Sequence, residues 1–224
     1  MNMYKLLNSF LFGSRAKSVF STFSKFYNLN KKFPVKIKEG LYLDKLKSQD
    51  TIELFELVDK NRPYLKKTLP WLDYSTTIKD SENFISQSND NFLNKSLILG
   101  IKSRKLIGII SFHTIDWQKK EAEIGYWLDE EMQGKGIITI SCKHLINLGF
   151  NDLGLEKIVI SASTTNIKSQ SIAKRLGFQE KCIIKDQEFL YDHYVDHILF
   201  SKTSEDYLQE QEQVVLGDTE GVNE

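Results

Sequence analysis

The spacing of apolar residues along this chain switches repeatedly between two periods. Short apolar stretches at 35–46, 97–101, 106–112, 122–128, 157–163, 180–187 and 194–201, the fifth alternating like a buried strand, predict strands. Spacings of three and four predict helices over 50–60 (Ile52, Leu54, Phe55, Val58), from Ser81 through Phe84, Ile85 and Phe92, over 134–150, and over 168–176 through Ile172, Ala173 and Leu176. Ser81 is the expected N-cap of the second helix, and Gly149 and Gly177 are the expected stops of the last two. Residues 62–71, with Pro63 and Pro70, predict a loop or short helix, and Lys102-Ser103-Arg104-Lys105 a hairpin turn. The order β-α-α-β-β-β-α-β-α-β-β describes an α+β layered domain.

Chemistry concentrates first in Glu123–Ile138, E-I-G-Y-W-L-D-E-E-M-Q-G-K-G-I-I. An apolar strand passes through an acidic turn into Gln133-Gly134-Lys135-Gly136, which opens into a helix. Two glycines two apart let the backbone turn tightly and gather several N–H groups at one point. The helix adds its unsatisfied first-turn N–H groups and the positive end of its dipole, so the expected ligand is a diphosphate. A matching second element lies at Thr165–Glu180, after the strand Lys157–Ala162. It contains Asn166-x-x-Ser169 on an amphipathic helix, then Leu176-Gly177-Phe178 with Glu180.

Together with A-E-I-G-Y-W-L-D at 122–129, E-F-L-Y-D-H-Y-V-D at 188–196 and, more weakly, T-L-P-W at 68–71, these motifs resemble the Gcn5-related N-acetyltransferase (GNAT) superfamily. The resemblance covers residues 35–200. The closer details are similar to the RimJ/RimL branch, and within it to the RimL enzymes, which acetylate the N-terminal amine of a ribosomal stalk protein. The resemblance implies a mixed, mostly antiparallel sheet splayed open between strands 122–128 and 157–163, with the pantetheine arm of acetyl-CoA in the splay. It implies that Leu128, Asp129 and Glu130 pair with that arm. The N–H groups of Gln133, Gly134, Lys135, Gly136, Ile137 and Ile138 would hold the pyrophosphate, with Asn166 and Ser169 on the other side of the arm. Lys135 and Lys174 are candidate phosphate partners, although a solvated lysine is the ordinary alternative.

Amide formation from an ammonium needs a base, donors for the thioester oxygen and a proton for the departing thiolate. By resemblance the base is Glu188 and the acid Ser169. A carboxylate works as a base at neutral pH where burial raises its pKa or where a water intervenes. Many members of the superfamily carry an acid tyrosine four residues before the glycine of the G-F pair. That position is Ala173 here, which shifts weight onto Ser169. Trp71, Tyr126 and Tyr194 are the candidate substrate-binding residues. His113, His144, His193 and His197 share no spacing suited to a metal or a triad and receive no catalytic role.

Charge refines the domain picture. The 224 residues balance 30 cations against 30 anions, yet residues 1–38 hold eight cations and no acid, and residues 201–224 one cation against seven acids. The expected organisation is a basic extension at 1–33, an acetyltransferase domain at 34–203, and an acidic disordered tail at 204–224. The basic, Phe-rich head fits an organelle-targeting peptide, a membrane-surface helix or an extension packed on the domain. The nearly neutral centre offers no nucleic-acid surface, and no apolar run reaches the ~20 residues of a membrane span, so a cytoplasmic enzyme is expected. Cys142 and Cys182 lie in apolar contexts without ligand spacing, predicting buried thiols and no metal. The acceptor is expected to be a Ser or Thr protein N-terminus such as that of a ribosomal stalk protein. A small amine (polyamine or antibiotic) and a non-catalytic binding role are the rivals, and a homodimer is left open.

Overall fold

The computed structural model describes residues 29 and 31–220. The chain divides between Phe33 and Pro34, and the elements described here belong to the second unit. They are β1 (Val35–Lys38), β2 (Leu41–Lys45), α1 (Thr51–Leu65), α2 (Ile78–Asp90), β3 (Leu97–Ser103), β4 (Lys105–Asp116), β5 (Glu121–Leu128), α3 (Ile137–Asn147), β6 (Lys157–Ser163), α4 (Ile167–Arg175), β7 (Gln179–Leu190), β8 (His193–Thr203) and α5 (Ser204–Glu220). The strands form one sheet in the order β1-β2-β3-β4-β5-β6-β8-β7. Only β5 and β6 run parallel. The mixed, mostly antiparallel sheet flanked by helices agrees with the expectation.

Several boundaries differ, each for a local reason. The stretch at 35–46 contains a hairpin, because Gly40 at φ +68 turns β1 back on β2. Helix α2 starts at Ile78, not Ser81. Thr77 and Asp80 form a reciprocal capping box, and Ser81 is buried inside the helix. Helix α1 continues through Pro63 to Leu65 because its buried stripe of Leu54, Leu57, Val58 and Leu65 continues too. Helix α3 begins at Ile137, leaving both glycines outside it, and a single π turn follows at Leu148–Leu153. Cys142 is buried as expected, but Cys182 is exposed, because β7 is the outermost strand.

The tail expected to be disordered is helical over Ser204–Glu220. Asp206 accepts from the N–H and hydroxyl of Thr203 at its start, and Tyr207 packs on Phe150 with ring centres 5.1 Å apart. The buried Lys202 donates to the Leu176 carbonyl at 2.8 Å and pairs with Glu210. Polar composition hid a helix anchored by those contacts. The readings of residues 1–33 fall almost wholly outside the described residues. Among the described residues no helix is long and apolar enough to cross a membrane.

Two faces of the sheet are covered. Helices α1 and α2 pack Leu54, Leu57, Val58, Leu65 and Ile85 against Leu46, Leu106 and Ile109. On the other face the buried Phe112 and Ile158 reach the Gly149 turn that follows α3. Each such side chain contributes about 1.5–3 kcal/mol on burial. Burial on both faces explains the unbroken buried run Leu106–Phe112 of β4, which a strand with one solvent face would not give.

One junction in the sheet positions the site. Strands β5 and β6 pair only at Glu121↔Lys157, Ala122↔Ile158 and Glu123↔Val159. That end is clamped by a Lys157–Glu121 ion pair of 2.7 Å and by the Glu156 N–H donating to the Lys120 carbonyl at 2.7 Å. Beyond it β5 follows β4 while β6 follows β8, and a gap opens. The Asp129 N–H donates to Ile107 on the β4 side at 2.8 Å. Because antiparallel ladders alternate, Tyr126 and Leu128 turn their main-chain groups into the gap.

Candidate active site

The first part of the site is main chain. After β5, Asp129 caps a 3₁₀ turn at Glu130–Met132, and Gly134 and Gly136 follow at φ +73 and +71. Such angles are ordinary for glycine and strained for other residues, and they bring the chain into α3 with its first-turn N–H groups unsatisfied. A Cβ on either glycine would meet nothing within 4 Å, so the conformation, not crowding by the protein, requires glycine there. Gln133 sits between the Tyr64 hydroxyl and Lys168 Nζ, the latter at 2.8 Å, tying the loop to α4. Lys135 Nζ folds back to the Glu131 carbonyl at 3.0 Å, and Lys174 pairs with Glu180 at 3.5 Å.

Of Leu128, Asp129 and Glu130, only Leu128 keeps main-chain groups turned into the gap. The Asp129 N–H is taken by Ile107, its carboxylate by Lys60 at 3.0 Å, and the Glu130 N–H by Asn61 Oδ1 at 2.9 Å. The residues present therefore fit a co-substrate that pairs with β5 at Tyr126 and Leu128 and rests a diphosphate on 133–138.

The second part is built of side chains. A cavity of about 610 Å³ is lined from α1, the segment 68–75, α2, β3, β4, β5, β6, α4, β7 and β8, and Ser169, Asn166, Tyr126, Trp71 and Glu188 all face it. Asn166 Oδ1 accepts the Ser169 N–H at 3.1 Å, so the N-x-x-S motif is a helix cap that fixes the serine. The Ser169 hydroxyl meets the Tyr126 hydroxyl at 2.7 Å. Burial pushes the Tyr126 phenol well above its ordinary range, so it keeps its proton. Trp71 approaches Trp127 with ring centres 6.3 Å apart and planes at 50°. Tyr194, in contrast, is 61% exposed, packs on Phe189 with ring centres 5.0 Å apart and planes at 58°, and lies outside the cavity lining.

Glu188 owes its aim to an irregularity. The β7–β8 register slips between Ile184 and Glu188, where Asp186 takes a left-handed φ of +50. Glu188 Oε2 then faces His197 Nε2 at 3.6 Å, and His197 Nδ1 meets Ser161 Oγ at 2.9 Å. The turn of this hairpin is held by Tyr191 (φ +63), whose hydroxyl donates to the Leu69 carbonyl at 2.6 Å, close to Trp71.

His197, Ser161, His113 and Glu123 line the cavity and were not among the expected site residues; His113 Nε2 lies 3.5 Å from Glu123 Oε2. The histidines gave no signal by spacing. Strand parity puts Ser161 and Ser163 on one face of β6, but their pairing with Leu199 and His197 of β8 is visible only in the fold.

Fold, open junction and glycine turn together define a GNAT acetyltransferase. The family model described as an acetyltransferase (GNAT) domain matches residues 41–179, and the chain belongs to that family as an N-acetyltransferase that uses acetyl-CoA. More particularly, it is 33% identical over 171 residues to the ribosomal-protein-serine acetyltransferase of Escherichia coli (strain K12), covering 75% of this chain and 95% of that protein. Among solved structures, it resembles the microcin C7 self-immunity acetyltransferase MccE in complex with acetyl-CoA and AMP. That match has a TM-score of 0.72 at 35% identity, over 75% of this chain and 95% of that one. It also resembles RimL, the ribosomal L7/L12 alpha-N-protein acetyltransferase, in complex with coenzyme A. Here the TM-score is 0.73 at 26% identity, over 75% and 97% of the two chains.

Proposed function

We propose that this enzyme transfers the acetyl group directly to the N-terminal amine of a protein, a Ser or Thr terminus of the ribosomal type. The supporting observation is the cavity beside the β5–β6 gap, with Glu188 on one wall and the Ser169–Tyr126 pair on another. Acetyl-CoA supplies an acyl group activated as a thioester. The main-chain groups of Tyr126 and Leu128 orient the arm that carries it, and the N–H groups of 133–138 hold its phosphates. Glu188 removes a proton from the acceptor ammonium, which is otherwise not nucleophilic. Ser169 delivers a proton toward the departing sulfur and regains one from solvent as the thiol leaves, while the Tyr126 hydroxyl, 2.7 Å away, orients it. Trp71 lies against the acceptor, whereas Tyr194 meets only parts of it that extend beyond the cavity.

A second reading, a small cationic amine as acceptor, is favoured by the wall itself, which combines Trp71, Tyr74, Phe84 and Trp127 with Asp80 and Glu123. Thiol release from acetyl-CoA against a Ser-starting peptide, spermidine and lysine separates the two. Preference for spermidine over the peptide would overturn the protein N-terminus. We further propose that the catalytic unit begins at Pro34 and that residues 1–33 are not needed for turnover, which a chain starting at Pro34 tests in the same assay.

A further inference from the structure

Among the described residues three buried side-chain polar atoms lack a hydrogen-bond partner: Ser81 Oγ, Ser141 Oγ and His197 Nε2. Buried polar atoms are seldom left unpaired without a reason. The His197 ring is fixed at one nitrogen by Ser161 Oγ (2.9 Å), its side chain is only 12% exposed, and its second nitrogen is aimed at the Glu188 carboxylate at 3.6 Å. Ser161, His197 and Glu188 all line the cavity.

From this geometry we infer that His197 is a positioning and proton-relay residue that acts through Glu188, with Ser161 holding its ring. The inference rests on Glu188 being the base. A carboxylate, with an ordinary pKa near ~4.3, is a weak sink for the proton of an amine, whereas an imidazole, near ~6.5, is better matched to neutral pH. With Nδ1–H donating to Ser161 Oγ, Nε2 carries the lone pair. Glu188 takes the proton from the acceptor ammonium, forming an O–H bond. A small swing of Glu188 closes the 3.6 Å separation, the O–H bond breaks, and an N–H bond forms at Nε2. The carboxylate is restored beside an imidazolium, and the proton leaves to water when the product departs.

The test is a double-mutant cycle on the full chain with acetyl-CoA and whichever of the Ser-starting peptide, spermidine and lysine reacts fastest. His197→Ala and the volume-conserving His197→Gln, which cannot relay a proton, are each expected to lower kcat by ~10–100-fold. KM for acetyl-CoA should stay within a few-fold, and melting temperatures show that the variants are folded. Glu188→Gln combined with His197→Ala should be no slower than Glu188→Gln alone, since the two residues act as one unit. Near-normal kcat in His197→Gln, or losses that multiply in the double variant, overturns the relay while leaving Glu188 as the base. Near-normal kcat in Glu188→Gln removes the base, and the relay with it. Independently of turnover, ¹⁵N-histidine spectra of Glu188→Gln should show the His197 Nε2 resonance displaced from wild type. An unchanged resonance would show that the two groups are not coupled.

Discussion

The glycine turn at 133–138 and the cavity that holds Glu188 both adjoin β5, but they are made of different materials. The turn consists of consecutive main-chain N–H groups whose direction is set by two positive φ values, and it demands little of the side chains. The cavity is made of side chains from many elements, held by contacts such as Tyr126–Ser169 and His197–Ser161 that join distant parts of the chain. A main-chain site tolerates almost any substitution except one that changes backbone geometry. A side-chain site fails one residue at a time and can be retuned for a new acceptor. That difference suits a family that keeps one acetyl donor and varies the amine.

The most severe way to break the comparison is Gly136→Val, which places a β-branched residue at φ +71. Micromolar binding of acetyl-CoA, about −8 kcal/mol, should fall by ~100-fold or more in calorimetry. Unaltered affinity would mean that the turn is not the phosphate site. Next, Ser169→Ala and Glu188→Gln should each lower turnover by ~10²-fold with donor affinity within a few-fold, a split that a cavity role requires and a binding role does not permit. Tyr126→Phe should cost about 10-fold in kcat, the scale of one hydrogen bond to the acid. Tyr191→Phe removes the bond to Leu69 and should lower stability by about 0.5–1.5 kcal/mol in denaturant melts, with a smaller effect on kcat.

The smallest effect concerns pH. Hydrogen bonds from Thr77 to Asp80, and from Thr203 to Asp206, hold both capping carboxyls below their ordinary 3.8. Lowered folded values mean that their contribution is complete above 3.8 and is lost as pH falls through the folded values. Melts between pH 5 and pH 2.5 should therefore show a decline that Asp80→Asn combined with Asp206→Asn blunts.

Local chemistry was legible in the sequence where the backbone carries it. Strand, glycine turn and helix at 122–147 follow from an apolar stretch, two glycines and a change of period, and Asn166 with Ser169 signals a cap whichever role the serine has. What one sequence hides is pairing across the chain. Ser161 meets His197 only through the β6–β8 register, and Glu188 turns toward His197 only through a bulge that no composition announces. Tyr194, chosen for its neighbourhood in sequence, points away because strand parity puts it on the exposed side of the hairpin. The same limit explains α5, whose polar residues look unstructured until Lys202 and Phe150 give them partners.

The three-rung junction between β5 and β6 has a consequence for solubility. An open strand edge invites pairing with other chains and is a common route to aggregation. This sheet has two outer edges that discourage such contacts. Strand β1 is four residues long with Lys36 and Lys38, and β7 carries Lys181, Lys185 and Asp186 with a broken register. The open stretch of β5 at Tyr126 and Leu128 is a third edge, inside the sheet, where β6 no longer pairs with it. The fold thus leaves one stretch of strand edge unpaired without placing it at an outer rim of the sheet.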